Sequence, residues 1–140
     1  MEPIVVERNI WIAAPRERVW QAITNADEIQ QWWADYWEIP ALVVGGVVRF
    51  GSKDDPMTAT IAVLNPPREF SIQWPPQEQY HSIPMFTRYV LEEENGGTRV
   101  MVSETGFEAL PDDIRQKRID STTQGYTTVL ADLKAYVEGQ

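Results

Sequence analysis

After Phe107 the spacing of apolar residues changes, and this switch constrains the fold of the 140-residue chain more than any other feature. From Tyr36 to Phe107 the pattern is that of strands, with runs of alternating polar and apolar residues broken by turn residues. Beyond it, Ile119, Thr122, Tyr126, Val129, Leu130, Leu133 and Val137 recur at helical spacing and form one stripe up to the C-terminus. Leu110-Pro111-Asp112-Asp113 opens this helix. A proline at the first position sacrifices no hydrogen bond there, and acids in the first turn suit the helix dipole. Gly125 inside the stripe costs about 1 kcal/mol relative to alanine. That cost is tolerable if another element approaches closely.

Ahead of the strand region, Ile4, Val6, Ile10 and Ile12 share one face of a half-buried strand with Arg8, and Val5, Glu7, Asn9 and Trp11 share the other. Pro15 marks the first position of a short helix whose apolar face is Val19, Trp20, Ala22 and Ile23. Asn25-Ala26-Asp27-Glu28 has the spacing of a capping box, with Asn25 accepting from the backbone and Glu28 reaching back. The second short helix carries Ile29, Trp32 and Trp33 on one side. Strands are predicted at Val47–Phe50, Thr58–Leu64 and Glu69–Trp74, punctuated by Gly45-Gly46, Asn65-Pro66-Pro67 and Trp74-Pro75-Pro76.

Asn95-Gly96 between two alternating runs is a strong hairpin signal. A two-residue turn pairs Glu94 with Gly97, and therefore Leu91 with Val100, Tyr89 with Val102 and Thr87 with Glu104. Glu92 then faces Arg99, and Val90 faces Met101, on the opposite side. This register places a carboxyl group, Glu104, on an apolar face. Burial there would raise its pKa and suit it to proton transfer or ligand recognition; the alternative is that, near the strand end, it reaches solvent or pairs with an arginine.

The totals exclude several function classes. Length and composition fit a single domain over residues 1–140. A net charge of −9 with scattered Lys and Arg argues against nucleic acid. No run approaches the roughly 20 apolar residues of a membrane span. An acidic start, Met1-Glu2-Pro3, shows no signal peptide, and the absence of cysteine fits a cytoplasmic location. The one histidine, His81, ends Glu78-Gln79-Tyr80-His81, a Glu-x-x-His pattern without the second copy a di-iron site needs. It reads as an ordinary loop histidine, so no metal and no cofactor is expected, nor any nucleophile–histidine triad.

The order strand, two short helices, about six strands, long helix resembles the helix-grip fold of the START-related (SRPBCC) superfamily. Within it the chain is similar to the family named after the activator of the heat-shock-protein-90 ATPase. The residues that carry this are Ala14-Pro15 with Val19-Trp20, Thr24, Trp32-Trp33, Gly45-Gly46 and Asn65-Pro66-Pro67 leading to Trp74. Gly97-Thr98-Arg99-Val100, Gly106-Phe107, and Gly125-Tyr126 with Leu130, Leu133 and Tyr136 complete it. Tyr126 departs from the family's usual tryptophan after the glycine. The resemblance implies an α+β fold in which an antiparallel sheet of six to seven strands grips the C-terminal helix, often around an apolar cavity. It does not imply one chemistry.

Five of the six tryptophans fall between Trp11 and Trp37. Alternation sets Trp11 on the outer face, Trp20 anchors the first helix, and Trp37 lies near a strand start. A cavity between sheet and helix needs a lining, and Trp32, Trp33, Phe70, Trp74, Tyr89, Glu104, Thr122 and Tyr126 are the candidate ligand-binding residues. Ser121, Thr122 and Gly125 are small and leave space under Thr122–Tyr126, with the Trp32-Trp33 helix and the Gln77–Pro84 loop as closures. The leading expectation is a binding protein for a small apolar or aromatic molecule, with Glu104, Tyr126 and Arg8 as polar selectors. One alternative is a cyclase or dehydratase with Glu104 as general acid/base and Tyr126 orienting a carbonyl. The other is a co-chaperone-like interaction role. The fuller-length chaperone activators carry an added N-terminal domain with no counterpart here, which argues against direct ATPase stimulation. A homodimer is compatible with the sequence, although no feature specifies one.

Overall fold

The type I′ turn at Asn95-Gly96, both residues at positive φ (49° and 78°), joins the two strands on which the candidate site is built. The computed structural model describes residues 2–76 and 84–139. Its elements run β1 (Val5–Ile12), α1 (Arg16–Thr24), α2 (Ala26–Trp32), β2 (Trp37–Glu38), β3 (Val47–Gly51), β4 (Pro56–Asn65), β5 (Glu69–Gln73), β6 (Phe86–Glu94) and β7 (Gly97–Thr105). A 3-10 turn (Phe107–Ala109) then leads into α3 (Asp112–Glu138). The seven strands form one antiparallel sheet in the order β1-β7-β6-β5-β4-β3-β2. This is the α+β helix-grip architecture: α3 lies against β1, α1 against β6 and β7, and α2 against β2.

The core lies between the sheet and the helices. Ile12, Val100, Val102, Tyr89, Leu91, Phe70, Ile72 and Ile61 come from the sheet, and Val19, Ile23, Ile29, Leu130 and Leu133 from the helices, all buried. The β6–β7 register is the one expected, Tyr89 opposite Val102 and Thr87 opposite Glu104. On the outer face Glu92 is opposite Arg99, but the two do not pair. Arg99 instead grips Glu94 with two hydrogen bonds (2.9 and 2.6 Å), and Glu92 accepts from Arg68 at 3.2 Å. Both arginines are long enough to choose the partner that gives better geometry.

Local differences have simple causes. Pro15 and Pro111 sit one residue before their helices, in extended conformation, so each ends the incoming chain instead of starting the first turn. Only half of the capping box forms. The Asn25 side chain accepts from the amides of Asp27 and Glu28 (2.9 and 3.3 Å). Glu28 turns away to meet Arg18 (2.7 Å) and the Tyr136 hydroxyl (2.9 Å), joining α1, α2 and α3. Among the described residues nothing approaches Gly125: a Cβ built there meets no atom of theirs within 4 Å. The expected close approach is not made by any described residue, and the glycine leaves space among them instead.

Trp11 clasps the hairpin from outside, donating its indole N–H to the Glu94 carbonyl at 2.7 Å. Its ring leaves no room for a side chain at residue 97, where a Cβ would strike the Ile12 carbonyl and lie 2.6 Å from the indole. Gly97→Ala is therefore expected to cost about 1–3 kcal/mol and to disturb Trp11 emission. Gly96→Ala, strained only by its positive φ, is expected to cost about 1 kcal/mol and to leave Trp11 unperturbed. Urea denaturation followed by tryptophan fluorescence distinguishes the two.

Candidate ligand-binding cleft

Alternation along β7 carries Val100, Val102 and Glu104 onto the inner face, and the last of these is a carboxyl group only 4% exposed. Its neighbour on β6, Thr87, is fully buried. From α3, Arg118, Thr122 and Tyr126 approach at four-residue spacing, which places them one above another on the side facing the sheet. Tyr126 donates to Glu104 Oε1 at 2.7 Å and lies 2.6 Å from Thr87 Oγ1. Thr87 lies 3.2 Å from the same carboxyl oxygen. Trp74, just past β5, donates its indole N–H to Thr87 Oγ1 at 2.7 Å. Arg118 donates to Thr122 Oγ1 at 2.9 Å and stands 3.5 Å from Glu104 Oε2.

Burial is the largest influence on Glu104 and raises its pKa above the usual carboxylate range. The Tyr126 hydrogen bond, the Arg118 charge and the Thr87 hydrogen bond pull in the other direction without cancelling it. Burial first, and the Glu104 charge second, also push the Tyr126 and Tyr89 phenols up, so both stay protonated at neutral pH.

Over this network opens a cleft of about 300 Å³. Its floor and near wall are Glu104, Arg118, Thr122 and Tyr126. Ser121, Gly125 and Val129 of α3 and Trp33 complete the lining. Trp33 sits just past α2 at the centre of an aromatic cluster, with centroids 4.9 Å from Trp37, 5.7 Å from Trp32, 6.0 Å from Tyr89 and 6.2 Å from Trp74. A second hollow, of about 370 Å³, lies between the start of α1 and the β6–β7 turn. Turn backbone and charged side chains make its walls, and it has no counterpart to the buried network.

Of the candidate residues, Trp33, Glu104, Thr122 and Tyr126 line the cleft. Trp74 and Tyr89 stand behind it, the first through Thr87 and the second edge-on to Trp33. Trp32 and Phe70 belong to the core. The Trp32 indole is held by the Ala22 carbonyl at 2.9 Å, and Phe70 packs edge-on against Trp20 at 6.3 Å. Arg8 is exposed and reaches Thr127 of α3 at 3.3 Å, away from the cleft lining. Of the expected Gln77–Pro84 closure, residues 77–83, with Glu78 and His81, lie outside the described residues. Among the described residues, no three His, Cys, Asp or Glu side chains come together as metal ligands would. The sequence reading missed Thr87, Arg118 and Trp37 as contributors. Two signals were present: Thr87 is the hairpin partner of Glu104, and Arg118 shares the helical face of Thr122 and Tyr126.

Residues 13–138 match the sequence profile of the family described as Activator of Hsp90 ATPase homolog 1-like protein. The chain belongs to this family. No curated protein matches it. Solved structures share its fold at low identity. Protein MLL2253 from Mesorhizobium loti superposes with a TM-score of 0.79 at 18% identity, covering 99% of this chain and 98% of the other. The Aha1 dimer from Colwellia psychrerythraea gives 0.76 at 20% identity, with 96% of each chain covered. DynU16, from the dynemicin biosynthetic locus, gives 0.75 at 18% identity over 96% of this chain and 47% of its own. Tyr126 brings a hydroxyl that both donates and accepts, where an indole would only donate.

A raised carboxyl pKa has a consequence for stability. The folded state holds the Glu104 proton more tightly than the unfolded chain does. That contribution is complete below the unfolded carboxylate pKa and is lost as pH rises through the folded value. Glu104→Gln keeps the shape and stays neutral. Its melting temperature is expected to fall less than that of the wild type between about pH 4 and pH 8, as measured by thermal unfolding at a series of pH values.

Proposed function

We propose that the cleft binds a small molecule with an apolar, aromatic body and one polar group. The observation that supports this reading is the convergence of a buried carboxyl, a phenol and a guanidinium at the floor of a cleft walled by Trp33 and Val129. Ligand sites are commonly apolar hollows with a few placed polar groups, and about 300 Å³ suits a ligand of two fused rings. Trp33 is the reporter, because any occupant lies beside a ring coupled to three other tryptophans.

The 2.7 Å contact between Tyr126 and the buried Glu104 supports a second reading, a cyclase or dehydratase with Glu104 as general acid/base. Turnover of a bound carbonyl compound, abolished in Glu104→Gln, would favour it over simple binding.

Hydrophobic ligands are expected to quench tryptophan emission saturably, and no response across a broad panel sinks the binding reading. Gly125 supplies a sharper test. Gly125→Leu projects a side chain into the open space and is expected to weaken binding about ten-fold or more with the fold intact. Gly125→Ala is expected to stabilise α3 by about 1 kcal/mol. Fluorescence titration and thermal unfolding of the two variants check both outcomes.

A further inference from the structure

We infer that Glu104 gives the cleft a proton-controlled polarity: neutral, it donates a hydrogen bond from Oε2 to a carbonyl-type oxygen on the ligand, and ionised, it rejects that oxygen. The inference rests on the binding reading above and names the ligand group that reading leaves open.

The argument follows the hydrogens. An indole N–H can only donate, so Trp74 commits Thr87 Oγ1 to accept. Thr87 and Tyr126 then have one hydrogen each. Their mutual 2.6 Å contact can hold only one of the two, so at least one ends on Glu104 Oε1. The carbonyl-type oxygen of a neutral carboxyl is the better acceptor. Oε1 takes that role, and the proton sits on Oε2. That oxygen is buried and has no hydrogen-bond partner among the described residues. Arg118 stands over it at 3.5 Å, too far for a hydrogen bond, with a side chain 26% exposed on the cleft wall. An entering acceptor reaches Oε2 only if this side chain shifts. A buried polar group left unmatched is costly, and a ligand oxygen removes that cost.

Among the described residues, few other groups titrate against Glu104. Tyr89 of β6 and Tyr126 of α3 face it as phenols held protonated, and Arg118 of α3 faces it with its guanidinium. β1 places Val6 beside it, and Arg8 on the same strand is turned to Thr127. α2 adds no charge to the cleft lining. Among the described residues, the carboxyl is therefore the group whose protonation changes what the floor offers, and its raised pKa brings that change toward neutral pH.

The test compares 2-acetylnaphthalene with 2-ethylnaphthalene, which have similar shape and differ in the carbonyl oxygen, by fluorescence titration at about pH 5 and about pH 9. The acetyl compound is expected to bind up to about ten-fold more tightly at the lower pH, the ratio of affinities falling toward one at the higher. In Glu104→Gln the amide oxygen accepts from Tyr126 and Thr87 while its NH₂ points to the cleft, so the preference should persist at both pH values. A ratio near one throughout in the wild type overturns the inference while leaving binding intact. A pH dependence that survives in Glu104→Gln overturns it as well, by assigning the proton elsewhere. Failure of both compounds to bind at either pH counts against the binding reading itself. If the variant does not fold, the wild-type ratio at the two pH values still decides.

Discussion

Desolvation of one carboxyl group is the constraint around which the site is organised. Leaving Glu104 among Val6, Val102 and the underside of α3 is costly unless its oxygens find partners. Two hydroxyls, one of them backed by an indole, answer that need at Oε1, and a guanidinium brings its charge to within 3.5 Å of Oε2. Thr87 comes from β6, Trp74 from just past β5, and Tyr126 and Arg118 both from α3, so the network also fixes how β6, β7, the end of β5 and the first half of α3 sit together. A hydrophobic residue at position 104 would relieve the cost and remove the reason for the rest of the arrangement.

The fold was legible because its main determinants are local. Asn95-Gly96 dictates a two-residue turn, the turn dictates register, and register decides which side of β6 and β7 each residue occupies. The stripe from Ile119 to Val137 is equally explicit. What escaped the sequence depends on the reach of long side chains and on empty space. Arg99 chose Glu94 over the residue directly opposite, and Glu28 preferred Arg18 and Tyr136 over its own helix end. Gly125 suggested a close neighbour, yet among the described residues there is a gap there. Periodicity reports which face a residue is on and says nothing about what lies across from it.

The tryptophans show the same division. Alternation placed Trp11 outside, and its ring does lie against the hairpin turn. The adjacent pair Trp32 and Trp33 looked equivalent in the sequence. They separate because Trp32 ends α2 with its indole tied to the Ala22 carbonyl, while Trp33 leaves the helix and turns toward Trp37 and Trp74. One residue of chain direction divides a core anchor from a cleft wall.

The attachments of α3 give it the character of a beam resting on two piers. Near its start, Arg115 holds the carbonyls of Phe107 and Leu110. Near its end, Lys134 bonds the Trp11 carbonyl at 2.6 Å and Glu138 accepts from the Ala13 amide at 2.8 Å, with Tyr136 tied to Glu28 between them. The cleft opens along the span between these supports. A beam held at both ends does not sag easily, so the hollow beneath it keeps its width when empty. The proposed ligand would not need to pry the helix from the sheet, and little ordering would remain to be done on binding.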